Sequence, residues 1–477
     1  MVEKLKLYIN GEWREGAEND TIEVINPATE ETVFSLCMAG ESDIHDILAA
    51  ADDGFKVWKN MPGAKRAGII KSIAVLIRQR LDVMAQRLTI EQGKTLAEAR
   101  GEILATASYF EELGELSERI YGRVVDGGAG RVERHIVQEP IGPVFGIAPW
   151  NLPAMMPGRK IANSLAAGCS IILKPAKETP ATAYAIAKCC EDAGVPAGVV
   201  NVISGPSSLL SNMIIPSPVI RKVSFTGSTE VGKELSSLAG RHMKKVAMEL
   251  GGHAPVIICE DADVEEVVNM TVPARFSNAG QSCMAATRFF VHEDIYDAFA
   301  AAFAARAGQI KVGNGLGSDV KMGPLASKRR LPVMDRLTAD ALDKGASLLA
   351  GGATIGDKGF FFEPTVLKDV PENAAIMTEE PFGPVTPIVS YGCEDEVIAR
   401  ANETPYGLAA YIFTNDRDRG RRLVSGIEAG LVGVNSMFVA GPSTPFGGVK
   451  DSGVGREGAM EGLLESMTTK TVTYSAS

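Results

Sequence analysis

A cysteine in a small, polar setting, Asn278-Ala279-Gly280-Gln281-Ser282-Cys283, is where this chain is best equipped for covalent chemistry. A thiol with no bulky neighbour can approach an electrophilic carbon. Upstream, Glu249 stands in Met248-Glu249-Leu250-Gly251-Gly252, where an apolar flank and paired glycines set it apart from an ordinary solvated glutamate. Its carboxylate can take the thiol proton or activate a water. Asn151 lies between Trp150 and Leu152-Pro153, on a loop that the proline keeps out of helix. Taken alone it reads as a turn residue. The remaining cysteines, Cys37, Cys169, Cys189, Cys190, Cys259 and Cys393, read as buried structural thiols.

Val223-Ser224-Phe225-Thr226-Gly227-Ser228 reads as a strand passing through a glycine turn into a helix, whose first N–H groups can hold a phosphate. Many βα turns share that pattern, and no GxGxxG fingerprint follows a strand. Gly93-Lys94-Thr95 looks like part of a phosphate-binding loop, but position 88 is Leu where that loop needs Gly, so the match is set aside.

These residues need a frame. Residues 41–120 read as three helices: one capped by Ser42 with Ile44, Ile47, Leu48 and Ala51 at helical spacing, one over 64–91, and one over 95–120. Residues 123–140 alternate like a hairpin. From 143 to 250, short apolar runs at 144–147, 170–173, 199–203 and 222–225 alternate with helical patterns near 155–168, 180–193 and 206–214. That is βαβ repetition, hence a parallel sheet. A second alternating region starts at Pro255-Val256-Ile257-Ile258 and runs to about 440, and the tail 468–474 alternates like an exposed strand.

The length of 477 residues exceeds one ordinary core and predicts two or three domains. A net charge of −11 argues against non-specific nucleic-acid binding, though not against an anionic ligand in a local cationic pocket. The cysteines are dispersed, with no CxxC, HExxH or Cys/His cluster, so no metal is expected. No signal-peptide core opens the sequence, and no apolar run reaches the roughly 18 residues of a membrane span. The expectation is a cytoplasmic protein with reduced thiols and no membrane partner.

Together with Glu380-Pro381-Phe382-Gly383-Pro384, the segments around Asn151, Phe225, Glu249 and Cys283 resemble, in order and separation, the aldehyde dehydrogenase superfamily, and the likeness runs from Tyr8 to Thr471. The resemblance implies an α/β fold: a dinucleotide-binding domain (1–121, 141–251 and 448–467), a catalytic domain (252–447) and a small β oligomerisation element (122–140 and 468–477). It implies oxidation of an aldehyde by NAD or NADP in a homodimer or homotetramer. Cys283 is then the nucleophile, Glu249 the general base and Asn151 an oxyanion donor. Lys174, Gly205, Phe225, Gly227, Ser228, Trp150, Glu380 and Phe382 match cofactor-binding positions. The family binds its dinucleotide without the GxGxxG fingerprint.

Lys177 departs from the pattern. NAD-preferring members commonly place glutamate there, whereas a lysine can attract the 2′-phosphate of NADP, so the reading leans to NADP or dual use, with Glu178 next door. The likeness is greatest to succinate-semialdehyde and 2-oxoglutarate-semialdehyde dehydrogenases, and Arg159 matches a residue that binds the substrate carboxylate. A second arginine, usual six residues before the cysteine, is replaced by Ser277, with Arg275 two positions off, and a substrate-binding serine is replaced near Gly441. Those changes leave open a different semialdehyde or a broader specificity. A CoA-acylating enzyme and a non-catalytic binding protein are the competing classes. Glu249 favours water over CoA as acceptor, and the complete set Asn151, Glu249, Cys283 and Glu380 favours catalysis.

Overall fold

The computed structural model describes residues 2–126 and 132–475, and its central sheet grows from the short apolar runs. Val144–Ile147, Ile171–Lys174, Val200–Val202, Lys222–Thr226 and Lys245–Glu249 form one parallel array. Across the sheet they run 245–249, 222–226, 144–147, 171–174, 200–202, so the chain reverses its direction of progress between 144–147 and 222–226. In open α/β sheets, the crevice outside the carboxyl ends of the strands at such a reversal is where ligands bind. Gly453–Val454 on one edge and Leu7–Ile9 with Glu12–Arg14 on the other add antiparallel strands.

Both faces of this sheet are covered. Ile171 and Leu173 pack into one core with Trp58 and Phe110, while Ile172 between them packs into the other with Ile44 and Val223. Successive strand side chains point to opposite faces, which is why a continuous apolar run rather than an alternating one marks this sheet.

The helical region differs in detail from expectation. The first helix is Glu41–Lys59, and its start is held by Asp43, not Ser42: the Asp43 carboxylate accepts the Gly40 N–H at 3.0 Å and the Ala17 N–H at 2.8 Å. The expected helix over 64–91 is two, Gly63–Gln79 and Leu81–Gln92, joined at Arg80. Ile70, Ile73 and Ile77 on one side of the break and Met84 and Leu88 on the other enter the same core, so the periodicity continues across it. Leu96–Leu116 follows, opened by a reciprocal cap in which Thr95 N–H donates to Glu98 and Glu98 N–H to Thr95 Oγ1.

The seven-stranded second sheet runs 347–350, 365–368, 385–391, 286–292, 254–258, 409–413, 431–434, with only 347–350 antiparallel. The tail strand Met467–Ser475 lies antiparallel along Val132–Pro140, which also pairs Arg123–Asp126. Residues 127–131, with Arg131 of the expected alternation, lie outside the described residues. A three-stranded sheet of 3–5, 21–25 and 32–37 was not foreseen from sequence. Five of the six cysteines expected to be buried are so; Cys393 is exposed, because it opens the surface helix Glu394–Asn402. Among the described residues no helix is long and apolar enough to cross a membrane.

Leu173 sits fully buried in the central sheet. Leu173→Ala should lower unfolding free energy by about 2–5 kcal/mol through lost burial and a residual cavity, read as a shifted urea midpoint at unchanged slope. A loss under about 1 kcal/mol would mean the site collapses around the smaller side chain.

Candidate active site

A cavity of about 290 Å³ opens at the carboxyl ends of strands 144–147 and 222–226, on the reversal of the central sheet. Trp150, Asn151, Gly227, Ser228, Cys283, Glu380 and Phe382 line it, with Met156, Leu250 and Arg330. Residues from both sheets thus meet here. Leu250-Gly251-Gly252-His253 carries the chain directly from strand Lys245–Glu249 of one sheet to strand Ala254–Ile258 of the other. A Cβ on Gly252 would lie well inside van der Waals contact with the Cys283 carbonyl, so only glycine lets this crossing touch the nucleophile loop. Its N–H donates to Glu380 Oε1 at 2.9 Å.

The cysteine loop is conformationally unusual. Asn278, Ala279 and Gly280 all have positive φ (52°, 53° and 70°). Left-handed backbone costs roughly 1–2 kcal/mol at each non-glycine residue, and buried hydrogen bonds offset it. Asn278 N–H donates to Glu98 Oε1 at 2.7 Å, and Asn278 Nδ2 donates to the carbonyls of Asn151 (2.9 Å) and Gln281 (3.1 Å). Asn151 Nδ2 donates to the same Gln281 carbonyl at 3.0 Å, which ties the asparagine loop to the cysteine loop.

Cys283 is half-buried and lines the cavity. Burial, with Glu380 and Glu249 acting the same way, pushes its thiol up to about 12, against a smaller downward pull from Arg159. Glu249 is buried, and its Oε2 has no hydrogen-bond partner. Desolvation, reinforced by Glu457, holds its carboxyl well above the usual carboxylate range, while Arg159, Lys160 and Arg456 pull it back. Burial thus favours the neutral form of both acids. Glu380 is pushed up to about 7 by burial, opposed by the Gly252 N–H and Arg330.

The expected cofactor residues follow the strand ends. Trp150 and Phe382 stand edge to face, 5.3 Å between centroids, on the cavity wall. Exposed Ser228 precedes helix Thr229–Arg241, whose start faces the cavity. Phe225 is buried beneath Gly227, and a Cβ there would meet its ring. Lys174 ends strand Ile171–Lys174 half-buried, its ammonium pulled down by burial, and Gly205 follows strand Val200–Val202. Lys177 is exposed on the next turn, where Glu178 is engaged by Arg329 at 3.1 Å. Lys174, Lys177, Gly205, Phe225 and Glu249 are not among the residues lining the 290 Å³ cavity.

Arg159 also lies behind that wall. It is buried between the rings of Tyr109 (4.6 Å) and Phe446 (4.5 Å) and donates from Nη2 to Tyr109 Oη at 2.7 Å. Its Nε and Nη1 are buried with no partner. Arg275 is no substitute second arginine, since it is fully buried and bonded to Thr386 Oγ1 and to the carbonyls of Gly383 and Val385. Ser277 Oγ donates to Glu98 at 3.0 Å, and the Gly441 carbonyl accepts from the Tyr109 hydroxyl at 3.4 Å.

Sequence reasoning missed the polar groups beneath the site. Buried Lys160 donates to Glu457 (2.7 Å), Ser224 (3.0 Å) and Thr226 (2.9 Å), and Glu457 Oε2 is a second orphaned carboxylate oxygen. Lys94, set aside with its false phosphate loop, is buried against Glu102 at 2.5 Å and donates to the Asn151 carbonyl at 3.0 Å. Glu102 accepts the N–H groups of Ala154 and Met155. Lys160 on an apolar helical pattern was the one available signal; Lys94 and Glu102 carry none without the tertiary fold.

Comparison with known proteins agrees with this geometry. A family model described as "Aldehyde dehydrogenase family" matches residues 13–472. The chain is 42% identical over 471 residues to 4-(hydroxymethyl)benzenesulfonate dehydrogenase of Comamonas testosteroni, covering 99% of this chain and 98% of that one. It is 40% identical over 462 residues to the NADP-dependent succinate-semialdehyde dehydrogenase of Escherichia coli, covering 97% and 96%. A crystal structure of an E. coli NADP-dependent enzyme superposes with a TM-score of 0.98 at 39% identity, covering 99% and 98%.

A thiol raised to about 12 is almost wholly protonated at neutral pH. Alkylation of Cys283 by iodoacetamide in the ligand-free enzyme, followed by peptide mass to separate it from exposed Cys393, should rise about tenfold per pH unit from about 7 to about 10. A plateau below about pH 8 would mean the resting thiol is already ionised.

Proposed function

Because this chain belongs to the aldehyde dehydrogenase family, and so is an NAD(P)-dependent oxidoreductase acting on aldehydes, we propose that its substrate carries an anionic tail, as succinate semialdehyde does. The observation that carries this reading is Arg159: a buried guanidinium, stacked between two rings, with Nε and Nη1 unpartnered. An unpaired buried charge is costly, and a guanidinium fork suits a carboxylate. 2-Oxoglutarate semialdehyde and a broader range of aldehydes are the alternatives within this class. A sulfonate-bearing aldehyde is a second reading, favoured by the likeness to the benzenesulfonate enzyme.

In the proposed reaction Cys283 Sγ adds to the aldehyde carbon, and the thiol proton passes directly or through water to Glu249 in its ionised form, which Arg159 and Lys160 favour. The carbonyl oxygen becomes an oxyanion facing Asn151 Nδ2 and the Cys283 N–H; one such donor contributes about 3–4 kcal/mol to lowering the barrier. The bound nicotinamide cofactor supplies the hydride acceptor. Loss of hydride leaves an acyl thioester on Cys283. Once Glu249 has passed the thiol proton on to solvent, it takes a proton from a water that attacks the thioester carbon; the C–S bond breaks, the proton goes to the departing Cys283 sulfur, and acid and thiol are released. The orphaned Glu249 Oε2 is the atom suited to that proton.

The residues fit a dinucleotide. Lys174 would hold the adenosine ribose, the N–H groups opening helix 229–241 the phosphates, Glu380 the nicotinamide ribose, and Trp150 with Phe382 the ring. Gly205, Phe225, Gly227 and Ser228 would complete the walls. Lys177 supports NADP or dual use: Glu178 is engaged by Arg329, and among the described residues Lys177 makes no ion pair that would oppose a 2′-phosphate. The proposed domain division is supported by sheet membership, with strands 7–9, 12–14, 144–147, 171–174, 200–202, 222–226, 245–249 and 453–454 in one sheet and strands between 254 and 434 in the other. The proposed homodimer or homotetramer has the tail strand and the 132–140 strand as its contact, and the protein is read as cytoplasmic.

Two measurements test this reading. Arg159→Met should lower kcat/KM for succinate semialdehyde about 10–100-fold, the scale of a lost charged hydrogen bond, while an uncharged aldehyde of equal length changes less than about threefold. An equal fall for both would remove Arg159 from tail recognition. Lys177→Ala should lower kcat/KM for NADP about tenfold and leave NAD unaltered. An unchanged ratio would end the case for phosphate recognition at this position.

A further inference from the structure

An oxyanion donor must present nitrogen, not oxygen, to the reacting carbonyl. The two ends of a carboxamide have nearly the same shape, so packing alone does not choose between them; hydrogen-bond polarity does. In this protein the Gln281 carbonyl accepts Asn151 Nδ2 and so makes that choice, and a chain of buried amides running from fixed backbone holds the Asn151 and Gln281 carbonyls in place. The Lys94 N–H, which cannot turn, donates to Gln92 Oε1 at 2.9 Å. That leaves Gln92 Nε2 to donate to Asn278 Oδ1 at 2.8 Å. Asn278 Nδ2 is thereby directed at the carbonyls of Asn151 and Gln281, at 2.9 and 3.1 Å. The Gln281 carbonyl also receives Asn151 Nδ2. Gln281 is itself locked, accepting the Ala326 N–H on Oε1 and donating from Nε2 to the Asn278 carbonyl, each at 2.9 Å. Gln92 and Gln281 have no exposed surface, and Asn151 and Asn278 are buried.

We propose that Gln92 is a positioning residue for the reaction: it sets the polarity of the Asn278 amide and, through it, the seating of the Asn151 amide in the cavity that Cys283 also lines. Gln92 lines no part of the cavity and touches neither reacting group. The proposal rests on Asn151 being the oxyanion donor. It predicts that reversing a hydrogen-bond direction at Gln92, with no change of shape, slows the acyl-forming step.

Gln92→Glu makes that reversal. When ionised, the introduced carboxylate still accepts the Lys94 N–H but also demands a donor from Asn278. The Asn278 amide then turns its oxygen onto the carbonyls of Asn151 and Gln281. When protonated, the same carboxyl can donate to Asn278 Oδ1 as glutamine does. The charged groups bonded into this cluster are Lys94, Glu98 and Glu102, all present in the native protein. First-turnover NADPH formation with succinate semialdehyde should fall at least about tenfold near pH 8 in Gln92→Glu and recover relative to wild type toward about pH 6. Gln92→Met, which can neither donate nor accept through an amide, should be slow at both pH values. NADP binding and thermal unfolding, measured alongside, should stay close to wild type.

First-turnover rates within about twofold of wild type near pH 8 in either variant overturn the proposal, as does a Gln92→Glu defect that does not recover on acidification. Asn151→Ala separates the two readings. If it is as fast as wild type, Asn151 is not the oxyanion donor; if it is slow while the Gln92 variants are fast, only the role of Gln92 fails. Should Gln92→Glu not fold, Gln92→Met against Asn151→Ala still decides the matter.

Discussion

Everything at this site depends on the short crossing between two sheets. Glu249 ends a strand of the eight-stranded sheet, Ala254 begins a strand of the seven-stranded sheet, and only Leu250, Gly251, Gly252 and His253 lie between. The crossing therefore has little freedom to move relative to either sheet. It brings the Gly252 backbone against the Cys283 carbonyl and ties the Gly252 N–H to Glu380. A carboxyl on one sheet, a thiol loop on the other and a second carboxylate are thus held in register by backbone contacts that no larger residue permits. His253, the last residue of the crossing, is buried and anchored through its ring to Thr287 and to the Ile376 carbonyl. The contact is rigid on the far side as well.

Burial at that junction sets the resting chemistry. Desolvation is the first cause raising Cys283, Glu249 and Glu380 alike, and the charges of Glu380 and Glu249 raise the thiol further. Three acidic groups in so little space cannot all carry charge. Arg159 and Lys160 pull Glu249 back but do not overcome its burial. Burial thus favours the neutral forms of the thiol and of Glu249, while Glu380 stands at about 7. Among the described residues two carboxylate oxygens lack partners, Glu249 Oε2 and Glu457 Oε2; against its burial, Lys160 and Arg159 hold Glu457 below the usual carboxylate range, and they pull Glu249 back toward it.

Much of this was legible in the sequence where local pattern and local structure coincide. The strands from 144 to 249 were apolar runs because both sheet faces are covered, and the cavity residues Trp150, Asn151, Gly227, Ser228, Cys283, Glu380 and Phe382 fall on loops that carry proline or glycine close by. What stayed hidden is what depends on distant partners. Gln92 and Asn278 are 186 positions apart, and Lys160 and Glu457 are 297 apart. Helix caps failed for a related reason: Asp43, reaching back to Gly40 and across to Ala17, outcompetes the nearer Ser42. The break at Arg80 left no trace because the apolar period resumes in phase with the same core.

The substrate end shows how a lost residue is read only in context. With Ser277 in place of a second arginine, the nearest guanidinium by position is Arg275. It is bonded to Thr386 and two carbonyls of the 383–385 segment, and it packs where a Cβ on Gly280 would strike it. Arg275 thus supports the cysteine loop from behind. Ser277 is turned outward onto Glu98, the same carboxylate that caps a helix and takes the Asn278 N–H. The positions around the cysteine are therefore committed to shaping its left-handed turn. Arg159 leaves two nitrogens, Nε and Nη1, without protein partners, where Arg275 leaves only Nη1. The rings of Tyr109 and Phe446, their centroids 4.6 and 4.5 Å from the Arg159 guanidinium carbon, pack against the same head group.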